Sequence, residues 1–390
     1  MIEVGLERCL REPPAVLAGA RFGLVMNQAS VDRNFRLACD VLAERFPGRL
    51  RALFSPQHGL WGEQQANMVE SPHGWYGPLQ IPIYSLYAEQ RKPTPAMLDG
   101  LDCLVVDLQD VGTRVYTFIW TVSYCLAACA DLGLPLVVLD RPNPLGGEMV
   151  EGPLLEPAFA SFVGRTPLPM RHALTLGELT LLVREQLGIS AEVHVVPATG
   201  WRRGMLFADT GRTWILPSPN MPRIETAWCY PGQVLLEGTN LSEGRGTTIP
   251  FEIVGAPYVE PWQLCEALER HEHPGLYFRP VWFVPTFDKW RGLRCGGVAW
   301  QIVEPRLARP FTATLAVLAS VQRLWPHEFT WLPPPYEYES IKMPIDILYG
   351  SAHLRERLVG ADAATVAELA TVDAAAWHDR TAAMRLYPPG

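Results

Sequence analysis

Short apolar runs that break into polar tips set the rhythm of the first 200 residues. Residues 22–26 run apolar and end in Asn27, Gln28 and Ser30; residues 50–54 end in Ser55, Gln57 and His58. Residues 81–84 lead to Ser85 and Tyr87, and 134–139 to Asp140, Arg141 and Asn143; 193–196 lead to Thr199 and Trp201. The run 101–106 breaks most sharply, into Asp107, Gln109, Asp110, Thr113, Arg114, Tyr116 and Thr117. Runs this short and apolar on both faces read as buried strands of a parallel sheet. Helix-period stretches at 4–19, interrupted by Pro13-Pro14, and at 35–45, 94–99, 118–132 and 175–187 alternate with them. The expectation is an α/β domain with a mostly parallel sheet, whose polar tips gather in one crevice at the C-terminal edge.

The alternation stops near residue 225. Loops follow, then helix patterns at 261–271, 311–324 and an alanine-rich 362–384, with strand patterns at 277–284 and 296–303. The reading is two domains, 1–226 and 227–390, the second a smaller α+β unit. Thr175 followed by Glu178 has the spacing of a capping box, which assigns Glu178 to structure.

Composition narrows the function classes. A net charge of −8 without a basic run argues against nucleic acid as the partner. Membrane helices need ~18 consecutive apolar residues, and no segment reaches that. The first residues carry acids and lack a signal-peptide pattern, so a cytoplasmic location is expected. The eight cysteines lie far apart among apolar neighbours, as free buried thiols do. Cys125 and Cys129, one helical turn apart, are assigned to packing rather than metal. No G-x-G-x-x-G follows the first strand and no G-x-x-x-x-G-K-[ST] occurs, so neither a dinucleotide cofactor nor a nucleotide triphosphate is expected.

Four segments carry candidate chemistry. Asp107, Gln109, Asp110 and Arg114 suit hydroxyls and an anionic substituent; the alternative is an Asp–Arg pair fixing a loop. His58 and Glu63, in a loop after a strand, are proton-transfer candidates, although a lone histidine also serves structure. Asn143 and Asn220 each sit between prolines, held either for a ligand or for an Asx turn. The loop 236–248 gathers Glu237, Glu243 and Arg245, either for binding or as an internal salt bridge. Most tryptophans read as core, with one or two left to stack on a sugar ring.

These segments together resemble the exo-β-N-acetylmuramidases of the NamZ family, formerly a family of unknown function (DUF1343). The resemblance rests on FSPQHGLWGEQ at 54–64, on the long segment 82–121 with VVDLQDVGTRVYTF, and on LDRPNPLGGEMVEGPLL at 139–155. It continues through WILPSPNMP at 214–222 and LEGTNLSEGRGTTIPFEIVGAP at 236–257, and more weakly through 285–298 and 346–351. It implies a Rossmann-like first domain, a smaller α+β second domain and a cleft between them. It also implies hydrolysis of a terminal β-1,4-linked N-acetylmuramic acid (MurNAc) from the non-reducing end of peptidoglycan fragments. One departure stands out: family members commonly read Pro-Glu-His-Gly where this chain has Pro56-Gln57-His58-Gly59. Glutamine cannot donate the catalytic proton. Glu63 becomes the acid candidate, with His58, Asp107 and Asp110 as further catalytic candidates. Gln57, Gln109, Tyr116, Asn143, Asn220, Glu237 and Glu243 are expected at the sugar, with Arg114 or Arg245 at its lactyl carboxylate. The alternative is an amino-sugar-binding protein that has lost the acid.

Overall fold

The structure, a computed structural model, describes residues 2–66 and 68–390. Among them seven strands form one sheet: β1 (Phe22–Val25), β2 (Leu50–Ser55), β3 (Gly74–Tyr76), β4 (Ile81–Ser85), β5 (Cys103–Val106), β6 (Leu136–Leu139) and β7 (Val193–Val196). Their order is β3-β4-β2-β1-β5-β6-β7, and all pairs are parallel except β3 with β4. The fold is α/β as the alternation predicts. The six apolar runs are all strands, because residues buried on both faces leave no period for a helix to use. The antiparallel β3 is absent from the sequence reading. Two of its three residues are exposed, so it carries no apolar run.

One apolar cluster packs each face of the sheet. The helices Gly5–Arg11 and Ala38–Arg45 cover one face, with Leu6, Cys9, Leu42 and Phe22 in the shared core. The helix Phe118–Leu132 covers the other and is buried nearly all round, which explains its unbroken apolar sequence. Its core continues without a gap into the second part of the chain through Phe251, Phe311 and Leu348.

That second part holds β8 (Ile253–Ala256), β9 (Leu276–Phe283) and β10 (Cys295–Ile302), antiparallel in the order β8-β10-β9. The helix Pro261–Leu268 packs against β9 and β10, and the helix Pro310–Leu324 packs against that helix and against Ile224–Gln233. Several expectations change here. Residues Ile224–Gln233 are helical although Pro231 lies inside. The expected helix at 362–384 is two helices, Ala363–Ala370 and Ala374–Thr381, each started by an aspartate that accepts the N3 amide, Asp362 from Thr365 and Asp373 from Ala376. The expected helix at 4–19 ends at Arg11, before Pro13 and Pro14. Thr175 and Glu178 do form a capping box, and Glu178 is buried against Arg203. All eight cysteines are free thiols, seven of them buried. No helix among the described residues is long and apolar enough to cross a membrane.

Candidate active site

The residues at the C-terminal edge of the sheet do not form one crevice. Most of the β5 tip is consumed by the fold. Asp107 is fully buried and takes a two-pronged pair from Arg141, Nε at 2.5 Å and Nη2 at 2.8 Å. Arg114 is fully buried too; its Nη1 donates to the carbonyls of Pro153 and Leu168, its Nη2 to those of Leu348 and Tyr349. It thereby caps the C-terminus of the helix Pro344–Tyr349. Gly350, at φ 101°, follows that helix, and a Cβ there would meet the Arg114 nitrogens. Arg114 is therefore spent on structure and not on a substrate carboxylate.

Asn143 closes an Asx turn, accepting from Leu145 N and donating to Leu174 O, which uses both ends of its amide. Asp110 accepts from Gly112 N and lies 3.7 Å from His172, buried, with its carboxyl pushed up to about 7 by that burial. Gln109 donates to Asp110 O and Pro142 O. It lines a separate cavity of about 250 Å³ with Asp32, Phe35, Arg141 and Trp214. Glu63, the acid candidate of the sequence reading, is exposed on the surface and does not line the cleft.

The remaining candidates except Glu243 do meet, where the β2 tip faces the second part of the chain. Gln57, His58, Tyr116 and Asn220 come from the first part; Glu237, Arg245, Tyr336 and Glu337 come from the second. The enclosed volume is about 40 Å³, room for a water or two. Small-molecule sites usually offer ~300 Å³ or more, so a sugar needs this cleft wider than it stands here.

Glu337 dominates the chemistry and was absent from the sequence reading. Gln57 Nε2 donates to its Oε1 at 3.3 Å, and the Tyr87 hydroxyl to its Oε2 at 2.9 Å. Thr117, at the start of the helix Phe118–Leu132, holds Gln57 in turn by donating to Oε1 at 2.7 Å. Burial, reinforced by the charge of Glu237, pushes the Glu337 carboxyl up to about 7. It therefore keeps a proton near neutrality, as a general acid must.

Glu237 sits in a contrasting setting. Arg245 Nη2 pairs with it at 2.6 Å and the Tyr336 hydroxyl donates to it at 2.5 Å. The other Arg245 nitrogen, Nη1, takes Glu243 at 2.7 Å, which Lys289 also holds at 2.8 Å. Burial works against the Glu243 charge, but the two cations outweigh it and keep the carboxyl near 2. Arg245 is thus committed to two carboxylates, as the internal-salt-bridge alternative expects. His58 Nδ1 lies 2.7 Å from the Gln64 carbonyl, which only accepts, so Nδ1 carries the hydrogen and Nε2 is left as an acceptor. Burial, with Arg245 nearby, lowers its pKa to about 4, so His58 is neutral at pH 7 and not a proton donor. Asn220 Nδ2 donates to Gln65 O. The Tyr116 hydroxyl is buried, with the Ser218 hydroxyl beside it. The described residues hold no group of three His, Cys, Asp or Glu side chains placed for a metal.

Hydrolysis of a glycosidic bond asks for two carboxyl groups in unlike settings, and the protein is an enzyme of that glycosidase class. It belongs to the exo-β-N-acetylmuramidase NamZ family. The family's N-terminal profile matches residues 22–225 and its C-terminal profile residues 228–387. The chain is 42% identical to the peptidoglycan β-N-acetylmuramidase NamZ of Bacillus subtilis (strain 168), covering 85% of this chain and 80% of that protein. Two solved DUF1343 family proteins from Bacteroides fragilis NCTC 9343 share the fold. One superposes with a TM-score of 0.87 at 32% identity over 99% of both chains. The other has a TM-score of 0.75 at 25% identity over the whole of both.

Proposed function

We propose that this enzyme releases terminal, non-reducing β-1,4-linked MurNAc from peptidoglycan fragments, with Glu337 as the general acid. The observation that carries the reading is a buried, proton-retaining carboxyl in the cleft, hydrogen-bonded to the residue that stands where relatives commonly have glutamate. Glu337 gives its proton to the departing glycosidic oxygen as the bond to the anomeric carbon breaks. Glu237, anchored by Arg245 and Tyr336, turns its negative charge toward the oxocarbenium-like centre; water then adds to the anomeric carbon and gives up a proton that restores the Glu337 carboxyl. Gln57 aims the acid; His58 Nε2, Asn220 and Tyr116 take sugar hydroxyls or the acetamido group. The site acts in the cytoplasm on recovered wall fragments, with the domain border at 226/227.

The direct test is release of chromophore from a β-MurNAc glycoside between pH 5 and 8. Turnover by the native enzyme that Glu337→Gln abolishes supports the reading; no release at high enzyme concentration rejects it. Gln57, standing where relatives commonly have glutamate, favours a second reading, an amino-sugar-binding protein without turnover. Calorimetry that finds MurNAc binding in the absence of any hydrolysis would select it.

A further inference from the structure

The lactyl carboxylate distinguishes MurNAc from N-acetylglucosamine, and the two arginines expected at it are committed elsewhere. A third arginine is not. Arg91 lies over the Tyr338 ring at 3.4 Å, with the rings of Phe162 at 5.3 Å and Tyr87 at 5.5 Å. Its Nε and Nη2 are buried and have no hydrogen-bond partner among the described residues. Stacking uses the face of a guanidinium and leaves the donors along its edge. Nε and Nη2 form one such edge, the fork that grips a carboxylate with two parallel hydrogen bonds. Buried donors without an acceptor are costly, so this edge calls for an anion.

Its location fits the same site. Tyr87 joins Arg91 to Glu337, since its ring contacts the one and its hydroxyl donates to the other. Phe162 precedes Val163, which lines the cleft, and Tyr338 follows Glu337. The loop that carries Tyr338 is also strained. Glu337 and Tyr338 are consecutive non-glycine residues in the left-handed region, at φ 44° and 68°, and Tyr338 is 50% exposed. Strain of this sort gathers at ligand clamps.

Resting on the glycosidase reading above, we propose that Arg91 is the specificity residue of this enzyme. It grips the lactyl carboxylate of MurNAc through Nε and Nη2 once the loop carrying Glu337 and Tyr338 shifts to widen the cleft.

The test compares three chromogenic glycosides, of MurNAc, of MurNAc methyl ester and of N-acetylglucosamine, on the native enzyme and on Arg91→Met and Arg91→Lys. Free MurNAc and N-acetylglucosamine are titrated by calorimetry alongside, and thermal melts check folding. Native enzyme is expected to prefer the free acid over its ester. Arg91→Met is expected to lose on the order of 10- to 100-fold in kcat/KM for MurNAc, mostly through KM, so that the ratio between the MurNAc and N-acetylglucosamine substrates collapses. Arg91→Lys, which keeps charge but not the fork, recovers only part. Equal losses on all three substrates, or no preference of native enzyme for acid over ester, overturn the proposal and leave the glycosidase reading standing. Binding of MurNAc that depends on Arg91 without any hydrolysis upholds Arg91 and rejects turnover. Neither hydrolysis nor binding rejects both.

Discussion

The β5 tip and the β2 tip flank β1 on one sheet edge and put their polar residues to opposite uses. At β5, Asp107 is paired with Arg141 and both terminal nitrogens of Arg114 are taken by backbone carbonyls. At β2, Gln57 reaches across to Glu337, a carboxyl still holding a proton near pH 7. The difference shows that density of polar residues does not mark a site. A site is marked by polar groups in a cleft whose protonation or donors remain available, and that property depends on partners distant in sequence.

The sharpest way to break the contrast is Glu337→Gln. It should cut kcat on a MurNAc glycoside by about 10²- to 10⁴-fold, with an unchanged melting profile; a loss below tenfold would take the acid role away from Glu337. Arg114→Met should act on the other side of the contrast. Four carbonyls lose their donor, and the fold should weaken by about 3–5 kcal/mol in denaturant titration. An Arg114→Met enzyme of native stability but poor KM would return that residue to the substrate.

Gln57→Glu gives a smaller, more diagnostic effect. Because Glu337 acts protonated and its folded pKa is raised, activity falls as pH climbs through about 7. A second carboxyl beside it shares the proton and should move this alkaline limb upward by about one pH unit. Stability follows the same sign. The contribution of protonated Glu337 is whole below its ordinary value of 4.5 and is lost as pH rises through about 7. Glu337→Gln should flatten that window in pH-dependent melts. The smallest effect belongs to Glu63→Gln, an exposed position, where stability should stay within about 0.5 kcal/mol and the pH–rate profile should not move.

The strands of the first sheet are legible in the sequence because burial on both faces leaves an unmistakable apolar run, while β3 is hidden by exposure. The helix Ile224–Gln233 was hidden by Pro231, which the surrounding packing tolerates. In the candidate site, Gln57, Glu237 and Arg245 stand in segments dense enough in glycine and charge to draw notice. Glu337 does not. It lies in Pro-Pro-Pro-Tyr-Glu-Tyr-Glu at 333–339, a stretch that reads as a surface loop, and only the fold brings it to a residue 280 positions earlier. The one cue was an acid set between two tyrosines, a pairing that buries a carboxyl against rings. Asp107 was over-read for the converse reason, since its arginine partner sits 34 positions away and pattern does not register such a pair.

Arg114 has a mechanical consequence as well. By tying carbonyls at 153 and 168 to those at 348 and 349, it pins the first part of the chain to the second at one side of the cleft. The two parts cannot hinge apart there without stranding a buried cation. Whatever opening admits a sugar must leave this tie intact, so the movement falls to the loops after β2 and around Tyr338.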